Sequence, residues 1–167
     1  MIRGGTGGNN TKTGANFEFQ TDLKTKLSEF YDVKNGIISL NGMNIAIYCP
    51  KRELYRFLSD IGIDWRDHIS SQLFPDEAIF ISSTRTLFII EKKYQEVYGS
   101  VDEKLQTCDF KKSQYQKLVA SKNIKVEYIY LLNDWFKRPK YRDTLTYIKE
   151  MGCHYYFNEL PLQDLNL

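Results

Sequence analysis

Phe74-Pro75-Asp76-Glu77-Ala78-Ile79-Phe80-Ile81, followed four residues later by Thr86-Leu87-Phe88-Ile89-Ile90-Glu91-Lys92-Lys93-Tyr94-Gln95, is the stretch that decides the fold. Both apolar runs are short and rich in β-branched and aromatic residues, so each reads as a strand. The second is apolar on both faces between Leu87 and Ile90, which places it in the middle of a covered sheet. A tight connection from Ile81 to Thr86 folds one strand back beside the other. Antiparallel pairing then carries Asp76 close to Glu91 across the fourteen residues between them. Because side chains alternate along a strand, Glu91 and Lys93 point to one face and Lys92 to the other, so only one lysine can be their partner.

Upstream of these strands, Asn41-Gly42 separates the apolar runs 37–40 and 43–48, the strongest short signal for a hairpin, since both turn residues accept positive φ. Pro50 then opens a helix with Leu54, Phe57, Leu58 and Ile61 on one face, ending near Gly62. Residues 36–62 thus form an inserted hairpin and helix, the candidate contact for DNA or a second copy of the chain. From about residue 15, Phe19, Leu23, Leu27 and Phe30 recur at helical spacing, with Glu18 in the first turn. Residues 1–14 are expected as a glycine-rich arm. They are not a phosphate loop, because Thr11 stands where that motif needs glycine before Lys12-Thr13.

Downstream, Gly99-Ser100 precedes a helical region over 101–121, a buried strand over 126–132, a helix from near Pro139 carrying Tyr141, Leu145, Ile148 and Met151, and a short strand over 153–157. The order predicts an α/β domain with a mixed central sheet flanked by helices, a single domain over 1–167.

The formal charge of +2 is too small to indicate a partner, so the distribution of charge matters more. Six lysines lie between 104 and 125 against one acid, Asp109, and Lys137, Arg138, Lys140 and Arg142 form a second cluster; each alone reads as a solvated surface. Cys49, Cys108 and Cys153 are odd in number and widely spaced, which suits a reducing cytoplasm and argues against a structural zinc site. No apolar run approaches the roughly 20 residues of a membrane helix.

A carboxylate and an ammonium at the end of a buried strand are costly to desolvate unless compensated, and a bound cation with a substrate phosphate compensates them. Asp76, Glu91 and Lys93 form the set that phosphodiester hydrolysis needs. Two acids can hold magnesium, as one ion or two, and the lysine can orient or deprotonate the attacking water or stabilise the transition state.

These residues resemble the PD-(D/E)XK nuclease superfamily, with Asp76 as its aspartate, Glu91 as its variable acid and Lys93 as its lysine. The resemblance in element order spans residues 15–157. It implies a three-layer restriction-endonuclease-like fold and a metal held by Asp76, Glu91 and an acid of the first helix, here Glu18. The glycine-rich start and Gly99-Ser100-Val101-Asp102-Glu103-Lys104 are similar to small type II restriction endonucleases.

Weaker candidates accompany the triplet. Gln95 continues the Glu91 and Lys93 face and is expected either to touch a phosphate or metal-bound water or to be a polar strand exit. Ser100 and Lys104 lie near a helix start, where amides favour anions. Lys112, Gln114 and Tyr115 are candidate backbone contacts on the lysine-rich helix. His68 and His154 lack a second ligand at metal spacing, and Trp65, Trp135 and Phe136 read as core or interface residues.

The leading expectation is a magnesium-dependent endodeoxyribonuclease, a homodimeric type II restriction enzyme cutting a short duplex site and paired with a protecting DNA methyltransferase. The alternatives are a structure-selective or repair nuclease with the same chemistry, and a non-catalytic DNA-binding protein that keeps the fold.

Overall fold

Asn-Gly pairs accept two successive positive φ angles, and the chain uses this twice to lay down its first strands. The computed structural model describes residues 8–167, with side chains from residue 13 onward. In it β1 (Asp32–Lys34) turns at Asn35-Gly36 into β2 (Ile37–Leu40), which turns at Asn41-Gly42 into β3 (Met43–Tyr48). The turn residues have φ of 50°, 80°, 50° and 78° in chain order. The second turn is the one expected from sequence; the first, and β1 with it, is additional. Gly36 is required there for a second reason, since a Cβ would stand 2.6 Å from the Tyr48 carbonyl oxygen.

α3 (Glu53–Asp60) follows and buries Leu54, Phe57 and Leu58. β4 (Glu77–Ile81) and β5 (Thr86–Lys93) pair antiparallel, with Glu77 opposite Ile90 and Ile81 opposite Thr86. The chain crosses over through α4 (Val101–Lys104) and α5 (Cys108–Val119) to β6 (Lys125–Leu132), parallel to β5 with Glu91 opposite Tyr130. It then crosses through α6 (Arg142–Glu150) to β7 (His154–Phe157), parallel to β6. The seven strands make one sheet in sequential order, antiparallel from β1 to β5 and parallel from β5 to β7. The architecture is α/β with a mixed sheet, as expected.

Each face of the sheet carries its own core. Ala78, Leu87, Ile89, Val126 and Tyr128 pack with residues of α3, α5 and α6, whereas Ile79, Ile81, Phe88, Ile90 and Ile129 pack with Phe17, Leu23 and Leu27 and with the C-terminal Leu160, Leu162 and Leu165. Fully burying each such side chain contributes about 1.5–3 kcal/mol, so the register of β4 and β5 is strongly held. The parity carries on past the apolar run. Even positions of β4 and odd positions of β5 face α5, which sets Asp76, Glu91 and Lys93 on that side and Glu77 with Lys92 on the other.

The N-terminal stretch departs from expectation. It forms two helices, α1 (Gly8–Gln20) and α2 (Leu23–Ser28), because Asp22 caps the second by accepting the Thr25 amide at 2.8 Å. Phe17, Leu23 and Leu27 are buried, while Phe19 and Phe30 are exposed. The expected arm over 1–14 is helical from Gly8, and residues 1–7 lie outside the described residues. Glu18 therefore sits near the end of α1, not in a first turn. Among the described residues no helix is long and apolar enough to cross a membrane.

Candidate active site

The antiparallel ladder ends at Glu77–Ile90, and one step further Asp76 meets the end of β5, where its Oδ2 accepts the Lys92 backbone N–H at 2.8 Å. That bond fixes the aspartate beside the next two side chains on its face. Lys93 Nζ donates to Glu91 Oε2 at 2.8 Å and lies 3.7 Å from Asp76 Oδ2. The structure thus brings together the three residues expected from sequence. Lys93 and Glu91 are mostly buried, with side chains 16 % and 7 % exposed, so their attraction is poorly screened.

Lys92 turns away, as alternation requires. Its Nζ lies 3.2 Å from Glu77 Oε2 in a buried pair on the α1 side. Glu77 also accepts the Leu23 amide at 2.8 Å and the Tyr48 hydroxyl at 3.1 Å. Burial holds its carboxyl above the usual carboxylate value, against the lowering pull of Lys92.

A fourth group joins the triplet from α5. Lys111 Nζ stands 3.8 Å from Glu91 Oε2. Four residues on, the Tyr115 hydroxyl is buried and has no hydrogen-bond partner among the described residues. Burial, and after it the charge of Glu91, pushes that hydroxyl well above the ordinary tyrosine range, so it remains a proton donor. No local signal singles out Lys111: Cys108, Tyr115 and Leu118 form the buried stripe of α5, and Lys111 and Lys112 both lie three or four residues from Cys108 and from Tyr115.

The other expected residues fall in different places. Glu18 is exposed and borders a cleft of about 540 Å³ that Asp76, Asp22 and Lys51 also line. Lys92 reaches the Glu18 carbonyl oxygen at 3.3 Å. Gln95 is buried just past β5, with its backbone held by Asn133 on both sides: its N–H donates to Asn133 Oδ1 at 3.2 Å and its carbonyl accepts from Nδ2 at 2.8 Å. Ser100 is exposed before the four-residue α4, and Lys104 is exposed, its carbonyl accepting the Tyr130 hydroxyl at 3.0 Å. Gln114 is half-buried on α5, three residues from Lys111.

Lys112 is not at the triplet. It donates to the Gly152 carbonyl at 2.6 Å and lies 3.9 Å from Glu127, which also holds His154 at 3.1 Å. Lys111, not Lys112, is the α5 lysine that faces Glu91, because one helical step turns a side chain by about 100°. Trp135 donates to the Tyr141 hydroxyl at 2.7 Å, and that hydroxyl donates to Asp102 at 2.6 Å, bracing the loop after β5. All three cysteines are buried and free.

Asp76 and Glu91 offer hard oxygen donors on neighbouring strand ends, with an ammonium already between them. One or two carboxylates completed by water suit a magnesium ion, and the unpartnered Tyr115 hydroxyl behind Glu91 marks the spot as polar. Among the described residues no three His, Cys, Asp or Glu side chains gather into a metal-holding group, so Glu18 is not assembled with the other two acids. No family model, no curated protein and no solved structure matches this chain.

Proposed function

We propose that this protein is a magnesium-dependent endodeoxyribonuclease with a restriction-endonuclease-like fold of the PD-(D/E)XK kind, acting in the cytoplasm on double-stranded DNA. The observation that carries this is the convergence of Asp76 and Glu91 on Lys93 where the β4–β5 pairing ends. Neither Pro-Asp nor Glu-x-Lys is distinctive alone. Their meeting in space at a buried strand end, with Lys111 beside them, supports the nuclease reading over a solvated strand terminus.

A magnesium ion held by Asp76 and Glu91 would supply the charge that makes water nucleophilic at neutral pH and neutralises the phosphate. Asp76 is held by the Lys92 amide, which orients its carboxylate before substrate arrives. Lys93 presents its ammonium to the space between the two carboxylates, where it orients or deprotonates the attacking water or stabilises the charge on phosphorus. Water adds to phosphorus, one ester P–O bond breaks, and the products are a phosphomonoester and a free hydroxyl.

A type II restriction enzyme, acting as a homodimer beside a protecting methyltransferase, is the biological setting we favour. The β2–β3 hairpin supports the dimer by exposing Ile37, Leu40 and Met43. Purified protein incubated with unmethylated plasmid and magnesium should give discrete fragments, abolished by chelator and by Lys93→Ala. Cleavage confined to branched or mismatched DNA would replace the restriction role with a repair role, and binding without any cleavage would remove the nuclease assignment.

A further inference from the structure

We infer that α5 supplies a second catalytic lysine, Lys111, which contacts the scissile phosphate alongside Lys93. This rests on the nuclease reading above and assigns the phosphate a second protein ligand. The inference starts from the position of that lysine. Lys93 already donates to Glu91 and is shared with Asp76, and a second ammonium stands 3.8 Å from the same Glu91 oxygen, within ion-pair range but too far for a hydrogen bond. Lys111 makes no hydrogen bond among the described residues, so its three donors are available to another acceptor.

The Lys111 side chain is 25 % exposed, and its ammonium reaches the carboxylate end of the site from α5. Its neighbours on α5 behave differently: Lys112 is tied to Gly152 and Glu127, and Lys117 is exposed.

The charge count points to phosphate. Asp76, Glu91 and Lys93 sum to −1. Counting in a divalent cation and a phosphodiester, the site is neutral, and attack by hydroxide leaves it at −1. Lys111 restores neutrality at the stage where negative charge is greatest, which is where a fixed cation in a poorly screened site acts most strongly.

The test compares wild type with Lys111→Met, which keeps the stem in the apolar stripe, and with Lys111→Arg. Duplex binding is measured in chelator across a salt series, and cleavage in magnesium, with thermal melts to establish that each variant folds. Loss of one phosphate contact should lower the slope of log affinity against log salt by about 0.9 in K111M, with K111R restoring it. Cleavage by K111M should fall about 100-fold in kcat. An unchanged slope with reduced cleavage would make Lys111 a positioning residue for Glu91 and overturn the phosphate contact. Normal cleavage and slope in K111M, with K93A inactive, would overturn this inference and leave the nuclease reading standing. A wild type that neither binds nor cleaves duplex would overturn both.

Discussion

Adjacent lysines on β5 should have opposite phenotypes, and Lys92→Met is the sharper half of the comparison. Lys92 and Glu77 are 6 % and 4 % exposed and 3.2 Å apart. At an effective dielectric of about 20 their gross attraction is about 5 kcal/mol, most of which offsets the cost of burying both charges. Removing the lysine alone leaves Glu77 with the Leu23 amide and the Tyr48 hydroxyl but no countercharge. Breaking one side of a buried pair costs about 3–5 kcal/mol, and Glu77 relieves part of that by taking a proton, so about 3 kcal/mol is expected at neutral pH. For a chain of this size that lowers Tm by about 6–12 °C.

The sign with pH follows from the raised Glu77 pKa. A carboxylate whose folded value lies above its unfolded value loses stability as pH rises from the unfolded value through the folded one. Without Lys92 the folded value rises further, so the gap between K92M and wild type should open as pH rises through the raised wild-type value and close below it. Urea denaturation across pH, with the Glu77→Gln/Lys92→Met double variant, measures both effects. The double variant should recover most of the loss. A K92M variant within 1 kcal/mol of wild type, or a double variant as unstable as the two singles summed, would refute the buried-pair reasoning. Lys93→Met should cost less than Lys92→Met, because Lys111 still faces Glu91, while removing cleavage.

Two other measurements follow from the same geometry. Gly36→Ala should cost about 2–4 kcal/mol by chemical denaturation, since it adds a clash with the Tyr48 carbonyl oxygen to the left-handed strain, whereas Gly42→Ala, with nothing within 4 Å, should cost about 1 kcal/mol; equal losses would show that strain alone matters. At Glu127 burial opposes ionisation, but hydrogen bonds from Lys125 and His154 and the charge of Lys112 outweigh it and hold the carboxyl below its usual value. Its contribution is therefore present above the unfolded value and lost as pH falls through the folded one. Glu127→Gln should be about 1–2 kcal/mol less stable at neutral pH, with the difference gone in acid, and a constant difference would contradict this.

Much of the site was legible because it depends on local rules. Alternation along β5 separates Lys92 from Lys93 without reference to any other segment, and a four-residue connection between two apolar runs implies the antiparallel pairing that carries Asp76 to Glu91. Asn41-Gly42 identifies its turn by backbone preference alone. Asn35-Gly36 has the same chemistry, but the strand before it is only three residues long and half exposed, too weak a pattern to stand out. The interruption of the first helix at Thr21-Asp22 was likewise hidden, since helical spacing of Phe19, Leu23, Leu27 and Phe30 continues across it while the packing selects Phe17, Leu23 and Leu27.

By itself the sequence determined the α/β class, the β4–β5 pair and the shared face of Asp76, Glu91 and Lys93, because strand period and turn conformation are properties of a few consecutive residues. Only the tertiary structure decided that Glu77 and Lys92 close a buried pair on the opposite face, and that Lys111 and not Lys112 turns toward Glu91. Those outcomes depend on which helix covers which face of the sheet and at what rotation. That choice is set by burying apolar surface between segments distant in sequence, and no local pattern encodes it.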